Sequence, residues 1–323
     1  MTGRNTDAAA IGAAVDIVIV NWNAGALLGE CVAALDRSTV GQLLRVVIID
    51  NASTDGSAKG LRTEQLSLEV VFNENNSGFA AACNQGAKRG TAPWLLFLNP
   101  DVRVEPDTVE GAVGYLDNPG NSAVGIVGIQ LLDVNGRIVR SCARTPTVGS
   151  LLARTLFLDR ICPALVRPHF LEEWDHSDTR PVDQVMGAFL LVRRVLFEQL
   201  GGFDERFFLY YEDLELCLAA RSAGWKVVHF AGVRAEHVGG GTTRAIRDVR
   251  LWRLADSEVL FTAKRYGRMA AVVLMLSILF FALPIRVLHA MAVGGDARWV
   301  IRGAMMYWRG LPNLFRKITA QLE

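Results

Sequence analysis

The residues best equipped for chemistry are carboxylates set where strands end or helices begin. Asn99-Pro100-Asp101 follows the apolar run Trp94–Leu98. A carboxylate at a strand tip is held rigidly and is open on one side. Hard divalent cations such as Mg²⁺ or Mn²⁺ take carboxylate oxygens, so Asp101 could hold a cation that neutralises charge building on a diphosphate. The plainer role is a turn start, for which Asp beside Pro is well suited. Asp50 opens the run Asp50-Asn-Ala-Ser-Thr-Asp-Gly56 and could accept a hydrogen bond from a pyrimidine N3–H. Ser53, Thr54 and Asp55 are equally good helix caps, and we expect the duties to divide, with Asp50 on the base and the later residues as cap and turn. Glu212 and Asp213 fall in the first turn of an expected helix, where the macrodipole favours anions. A carboxylate there could deprotonate an attacking hydroxyl, although acids in a first turn are common without any such role. His237, before the Gly239-Gly240-Gly241 run, could ligate a metal or touch phosphates. His169, His176, His229 and His289 read as structural or merely exposed.

These residues need elements to position them. Val15–Val20 reads as a buried, β-branched strand, Val46–Ile49 as a second, Leu68–Phe72 as a third and Trp94–Leu98 as a fourth. Between them Leu27, Leu28, Cys31, Val32 and Leu35 share one helical face, and Phe79–Lys88 reads as another helix. This alternation predicts βαβ units and a parallel sheet covered on both faces. Asn21, Asn23, Asp50, Asn51, Asn99 and Asp101 then cluster at the carboxyl ends of the strands, where open α/β sheets bind ligands. Further on, Asp133–Gly136 reads as a hairpin turn, Val182–Val192 as one strand, Arg194–Leu200 as a short helix stopped by Gly201-Gly202, Glu212–Ser222 as a helix with Leu214, Cys217 and Leu218 inward, and Trp225–Phe230 as a final strand with His237 beyond it. Thr147–Arg180 has no clear period.

Composition narrows the class. Of 323 residues, 51% are hydrophobic and 21% charged, a globular balance; the net charge of +1 argues against a nucleic-acid binder working by bulk electrostatics. Five scattered cysteines without metal-type spacing predict free thiols in a reducing compartment. The first fourteen residues lack a basic start and apolar core, so they read as a flexible tail rather than a secretory signal.

Seven blocks carry a resemblance: VDIVIVNWN, VVIIDNASTDGS, NNSGFAAACNQG, LLFLNPDV, MGAFLLVRR, LGGFDERFFLYYEDLELCLAARSAGW and EHVGGG. In this order, over roughly Val15 to Thr243, the chain resembles the family 2 inverting glycosyltransferases of GT-A fold, and within them the rhamnosyltransferase-like branch. The resemblance implies a Rossmann-like, mostly parallel mixed sheet flanked by helices. It implies a nucleotide-sugar half at 15–103 and an acceptor and catalytic half at 104–245. By position, Val20, Asn21, Asn23 and Asp50 would hold a pyrimidine base, and Asn76, Gly78 and Asn84 would line the donor site. Asn99 and Asp101 would form the Asn-x-Asp version of the metal motif. Asp213 would be the general base, with Glu212 beside it, and His237 would help Asp101 with a Mg²⁺ or Mn²⁺. Glu215 stands where the branch usually has Asp, and Ala219 where Arg is common, although Arg221 is kept; both departures bear on acceptor contacts. The implied reaction is a single displacement from a dTDP- or UDP-sugar, with dTDP-L-rhamnose favoured, onto a glycan hydroxyl in cell-surface polysaccharide synthesis. A nucleotidyltransferase would show a basic, glycine-rich loop after the first strand, and Asn21-Trp-Asn-Ala-Gly25 has no Lys or Arg. An inactive sugar-nucleotide-binding module or membrane scaffold is the non-enzyme rival, and Asp101, Asp213 and His237 together argue against it.

The remaining segment, 246–323, is expected to be helical. From Lys264 onward there are nine Lys or Arg and two acids, and Met269–Ile285 is 17 residues without charge, the lower limit for a membrane span. Three readings stand: a helix lying in the interface with cations on anionic lipid, a short span or re-entrant hairpin, and a packing helix or homodimer interface. Of these we expect an in-plane or re-entrant association with the cytoplasmic face of the plasma membrane, suited to a lipid-linked glycan acceptor. Positive charge on both sides gives no orientation signal.

Overall fold

Strand and helix alternate through the first hundred residues of the computed structural model, which describes residues 14–162, 166–239, 246–292 and 296–319. The expected N-terminal tail, Ala14 apart, and the glycine-rich segment 240–245 lie outside the described residues. The order is β1 (Val15–Asn21), α1 (Ala26–Asp36), β2 (Leu44–Asp50), β3 (Ser67–Phe72), α2 (Phe79–Ala87) and β4 (Trp94–Leu98). Next come β5 (Val102–Val104), α3 (Thr108–Asp117), β6 (Val124–Leu132), β7 (Ile138–Val139), β8 (Cys142–Ala143), α4 (Val148–Thr155) and α5 (Leu158–Ile161). Then follow β9 (Arg180–Pro181), β10 (Gln184–Val185), β11 (Phe189–Arg193), α6 (Arg194–Gln199), α7 (Glu212–Ser222) and β12 (Lys226–His237). The chain closes with α8 (Arg247–Tyr266), α9 (Arg268–Ser277), α10 (Leu283–Ala292) and α11 (Arg298–Thr319).

The main path of the sheet is β3-β2-β1-β4-β11-β6-β12-β5. β1 to β4 run parallel, as their buried β-branched runs predict, and β11 lies antiparallel between β4 and β6. One face packs on α1 and α3, the other on α2, α6 and α7. β1 is less uniformly apolar than its neighbours. Asp16 is buried in it, and Arg194 reaches across at 2.6 Å to pair with it while also bonding the carbonyls of Ala87 and Ala92. A buried charge needs such a partner.

Three expectations change. Ser53, Thr54 and Asp55 cap no helix, because residues 51–66 form turns and loop. The run Val182–Val192 breaks at Met186-Gly187-Ala188 into β10 and β11, since Gly187 turns its N–H out of the ladder toward Asp213. β12 does not end at Phe230: it passes an irregularity after Phe230 and continues to His237.

The last four helices share a third core with α7 and the loop before it: Phe207, Tyr211, Leu214 and Leu218 pack with Val259, Phe261, Leu274 and Tyr307. Within α8, Glu258 holds both Arg154 of α4 and, at 3.1 Å, the Tyr211 hydroxyl. α8 is therefore built into the wall of the site.

Candidate active site

The polar loops at the strand ends are stitched to one another. Asn21 closes β1, and its side-chain amide donates to Asp50 at 2.7 Å and lies within reach of the Ser53 and Ser57 hydroxyls. The Asn21 Oδ1 is buried without a hydrogen-bond partner among the described residues. Asp50 takes the Ser53 N–H on its other oxygen at 2.9 Å. Asn23, with φ of 53°, receives the Thr54 N–H on its side chain. Asp55 receives the Gly25 N–H at 2.8 Å. Asp50 thus ties the loop 50–57 to the end of β1 with both carboxylate oxygens, a structural duty beyond the base contact expected of it. Val20 is buried in the strand, so any ligand contact there is by its backbone.

The second loop carries Asn76 and Gly78. The Asn76 side-chain Oδ1 accepts the Gly78 N–H at 2.9 Å. Gly78 has φ of 89°, and a Cβ there would fall 2.6 Å from the Phe208 carbonyl oxygen, so both backbone conformation and space require glycine. Phe79 N donates to that same oxygen at 2.7 Å. Asn84 differs from expectation. It is buried, and its amide is spent on the backbone of Phe203 in both directions and on Glu205. It pins the loop that leads to α7 rather than lining a ligand site.

Asn99 and Asp101 occupy the turn between β4 and β5. The Asn99 N–H donates to the Ala188 carbonyl at 3.0 Å, and the Val238 N–H to the Asp101 carbonyl at 3.0 Å. β12 pairs with β5 so that His237 lies opposite Val102. That register brings His237 Nε2 to 3.4 Å from Asp101 Oδ1, with both side chains nearly buried. Two residues far apart in sequence thus meet at one strand end, and no third His, Cys, Asp or Glu among the described residues joins them.

Glu212 and Asp213 start α7 after two consecutive left-handed residues, Tyr210 and Tyr211, each with φ of 71°. Side-chain-bearing residues adopt this conformation at a cost, and such strain gathers at functional sites. Asp213 accepts the Gly187 N–H at 2.9 Å, the Leu214 N–H at 2.7 Å and the Gln184 amide at 3.1 Å. Burial pushes its carboxyl above the usual range, and these donors oppose the shift. Glu212 is pushed much further up, by burial and then by the Asp213 charge, and its Oε2 lacks a partner among the described residues. Of the pair, Asp213 is the member supplied with donors that favour its charged form. Gln184, Gly187 and the two tyrosines are site residues that pattern reading passes over; the glycine inside a strand run was the available signal.

Glu215 is buried and pairs with Arg265 and Lys264, each at 2.7 Å. The departure from the family's usual Asp joins α7 to the end of α8. Arg221 pairs with Asp183 at 2.7 Å. His176 and His229 are structural as expected: His229 Nε2 meets the His176 carbonyl at 3.1 Å, and His176 stacks on Trp174.

A mixed, mostly parallel sheet flanked by helices, with polar residues at its strand ends, is an arrangement of GT-A type. The comparisons agree. Residues 16–162 match the family described as Glycosyl transferase family 2. The N-acetylglucosaminyl-diphospho-decaprenol L-rhamnosyltransferase of Mycobacterium tuberculosis is 28% identical over 265 residues, which cover 78% of this chain and 84% of that protein. Rhamnosyltransferase WbbL of Escherichia coli K12 is 25% identical over 168 residues, 51% of this chain and 60% of WbbL. Among solved structures, a mannosyltransferase of Pyrobaculum calidifontis in complex with GDP-Man and Mn²⁺ superposes with a TM-score of 0.55 at 19% identity, covering 93% of this chain and 88% of that one. S. aureus TarS 1–349 gives 0.51 at 14% identity, covering 94% and 91%; likenesses this remote speak to fold alone. Over residues 16–162 the chain matches glycosyltransferase family 2, and its sequence is similar to rhamnosyltransferases, which together support a glycosyltransferase.

Proposed function

We propose that the chain moves L-rhamnose from dTDP-L-rhamnose to a hydroxyl of a lipid-linked glycan, with inversion, during cell-surface polysaccharide synthesis. The observation that carries this reading is the backbone link between the two chemical centres. Asn99, two residues from Asp101, bonds Ala188, and the neighbouring Gly187 bonds Asp213. A group that stabilises a leaving diphosphate and a group that accepts a proton thus flank one short segment. The strand-end loops with Asn21, Asn23, Asp50, Asn76 and Gly78 would hold the nucleotide. Asp213 takes the acceptor proton as the new C–O bond forms at the anomeric carbon and the bond to the diphosphate breaks on the opposite side. Burial and the Asp213 charge disfavour ionisation of Glu212, which leaves Asp213 as the better base.

The pair Asp101 and His237 fits a Mg²⁺ or Mn²⁺. One oxygen and one nitrogen donor are too few to complete a shell, which suits an ion whose remaining ligands are donor phosphates and water. Such an ion, when bound, neutralises the charge on the departing diphosphate. The Mn²⁺ recorded with the Pyrobaculum mannosyltransferase supports a divalent cofactor.

The C-terminal helices support membrane association in the plane. Arg268–Ala292 is a 25-residue apolar helix, interrupted by a π-helical turn at Ile278–Ala282, and only 28% of its most apolar window is buried. One face, Ala271, Leu274, Ile278 and Leu283, packs on the catalytic core, and Ser277 contacts Thr155 at 2.5 Å. A span would have to strip that face from the core. The opposite face exposes Met269, Val273, Leu276, Phe280, Phe281, Leu288 and Met291. On α11 the exposed Ile301, Met305, Trp308 and Phe315 run beside Arg302, Arg309 and Arg316, the pattern of a helix lying on anionic lipid. The cytoplasmic leaflet, where anionic lipid and nucleotide sugars meet, is the surface we infer.

The test is release of nucleoside diphosphate by the purified chain with Mn²⁺ and a glycan acceptor, comparing dTDP-L-rhamnose with UDP-sugars. Turnover with dTDP-L-rhamnose is expected. Turnover with a UDP-sugar alone would replace the donor, and hydrolysis without transfer to any acceptor would remove the function.

A further inference from the structure

One face of α8 carries cations that the site so far described does not use. Arg250 and Arg253, with Ser257 a turn further on, face the loop 208–211. Arg253 lies 3.8 Å over the Phe208 ring, Arg250 lies 5.9 Å from the Tyr210 ring centre, and Ser257 donates to the Leu209 carbonyl at 2.8 Å. That loop is the partition between the Gly78 turn, which touches the Phe208 carbonyl, and α7 with Asp213. Arg247 lies one turn before Arg250 on the same side, and both are exposed.

The acids nearby are committed elsewhere. Asp248 pairs with Arg302 of α11 at 3.0 Å, Glu258 with Arg154, and Glu215 with Lys264 and Arg265. Asp256 is the acid that faces Arg253. Arg247 and Arg250 have no ion-pair partner among the described residues. The Arg253 Nε is buried and unpartnered among the described residues. The planar stacking of Arg253 on Phe208 and Trp252, at 3.8 and 3.9 Å, fixes its guanidinium without using its donors. A guanidinium held in plane by stacking, beside the exposed Arg247 and Arg250, which have no ion-pair partner among the described residues, suits a phosphate oxyanion, which guanidinium groups bind through paired hydrogen bonds.

We propose that Arg247, Arg250 and Arg253 form a binding site for the diphosphate of a diphosphate-linked lipid acceptor, on the far side of the 208–211 loop from the donor. This rests on the proposed transfer to a lipid-linked glycan and names the group by which that acceptor is recognised. The same helix packs along α11, whose exposed apolar stripe faces outward: Gly303 lies against Asp248 and Gly310 against Trp252. A lipid chain in the interface and a diphosphate on α8 would thus be held by adjacent helices.

The test compares two acceptors with the full chain: N-acetylglucosaminyl diphosphate on a short prenyl chain, and an alkyl N-acetylglucosaminide without phosphate. Wild type should favour the diphosphate acceptor. Arg250→Gln, at an exposed position with little bearing on folding, should raise its KM about tenfold, the scale of one charge-assisted hydrogen bond, with kcat nearly kept, so that the preference collapses. Arg253→Lys, which keeps the charge but loses the fixed plane, should give a smaller rise. Inorganic pyrophosphate should compete with the diphosphate acceptor for wild type and compete less for Arg250→Gln. An unchanged preference in Arg250→Gln would overturn the site while leaving the transfer reading intact. Absence of transfer by wild type to either acceptor would overturn the transfer reading and the site with it.

Discussion

Asp213 is shaped by two opposing influences, burial that disfavours its charge and three hydrogen-bond donors that favour it. The net shift is upward, which strengthens it as a base. A base must be ionised to act, so turnover should fall as pH drops through its raised pKa, with the acidic limb of the kcat profile above the ordinary carboxylate range. Asp213→Asn should lower kcat by about a hundredfold to ten-thousandfold, the span typical of a lost general base, while donor affinity stays near wild type. Steady-state kinetics together with nucleotide-sugar titration check this, and a normal kcat would remove the assignment. The positions of Asp101 at a strand end and Asp213 at a helix start could be read in the sequence because both are local features. Asn84 could not: its partner Phe203 is 119 positions away, and no local pattern reports a hydrogen bond of that span. Gln184 and Gly187 were hidden for a related reason, since a glycine in an apolar run looks like strand until its N–H is seen bonded to Asp213.

At the scale of elements, the first four strands and their helices were legible because burial on both faces forces continuous apolar, β-branched runs. β12 was not, because its continuation to His237 crosses a register shift and is mostly half-buried or exposed, without the apolar run that marks a buried strand. The C-terminal helices announced themselves by composition, yet which face they bury is a tertiary matter. Their exposed stripe makes a prediction of its own. The chain should co-sediment with anionic phospholipid vesicles and less with zwitterionic ones, and added salt should weaken the association by screening the arginines. Phe280→Ser with Trp308→Ser should release it without loss of the catalytic fold, judged by circular dichroism. A chain that stays in the supernatant with anionic vesicles would rule out docking through this face.

For the whole molecule, two cores meet around the segment from Phe203 to Asp213, so stability and site geometry are linked. The half-buried His169 and the buried His229 make this visible through pH. Burial lowers His169 and His229 from 6.5 to about 4. Their unfolded forms bind protons that the folded forms refuse between those values. Their contribution is therefore intact above pH 6.5 and is lost as pH falls toward 4, by at most about 1.4 kcal/mol per pH unit for each histidine. Thermal unfolding followed from pH 7 down should show Tm falling over this window, and His229→Asn should flatten the fall if the mutant folds.

The central claim is a single displacement by an acceptor oxygen, with Asp213 as base and no covalent sugar on the enzyme. The anomeric configuration of the first-formed product, read by proton NMR against that of the donor, tests this most directly. Inversion is the predicted result, and a product that retains the donor configuration would contradict the account.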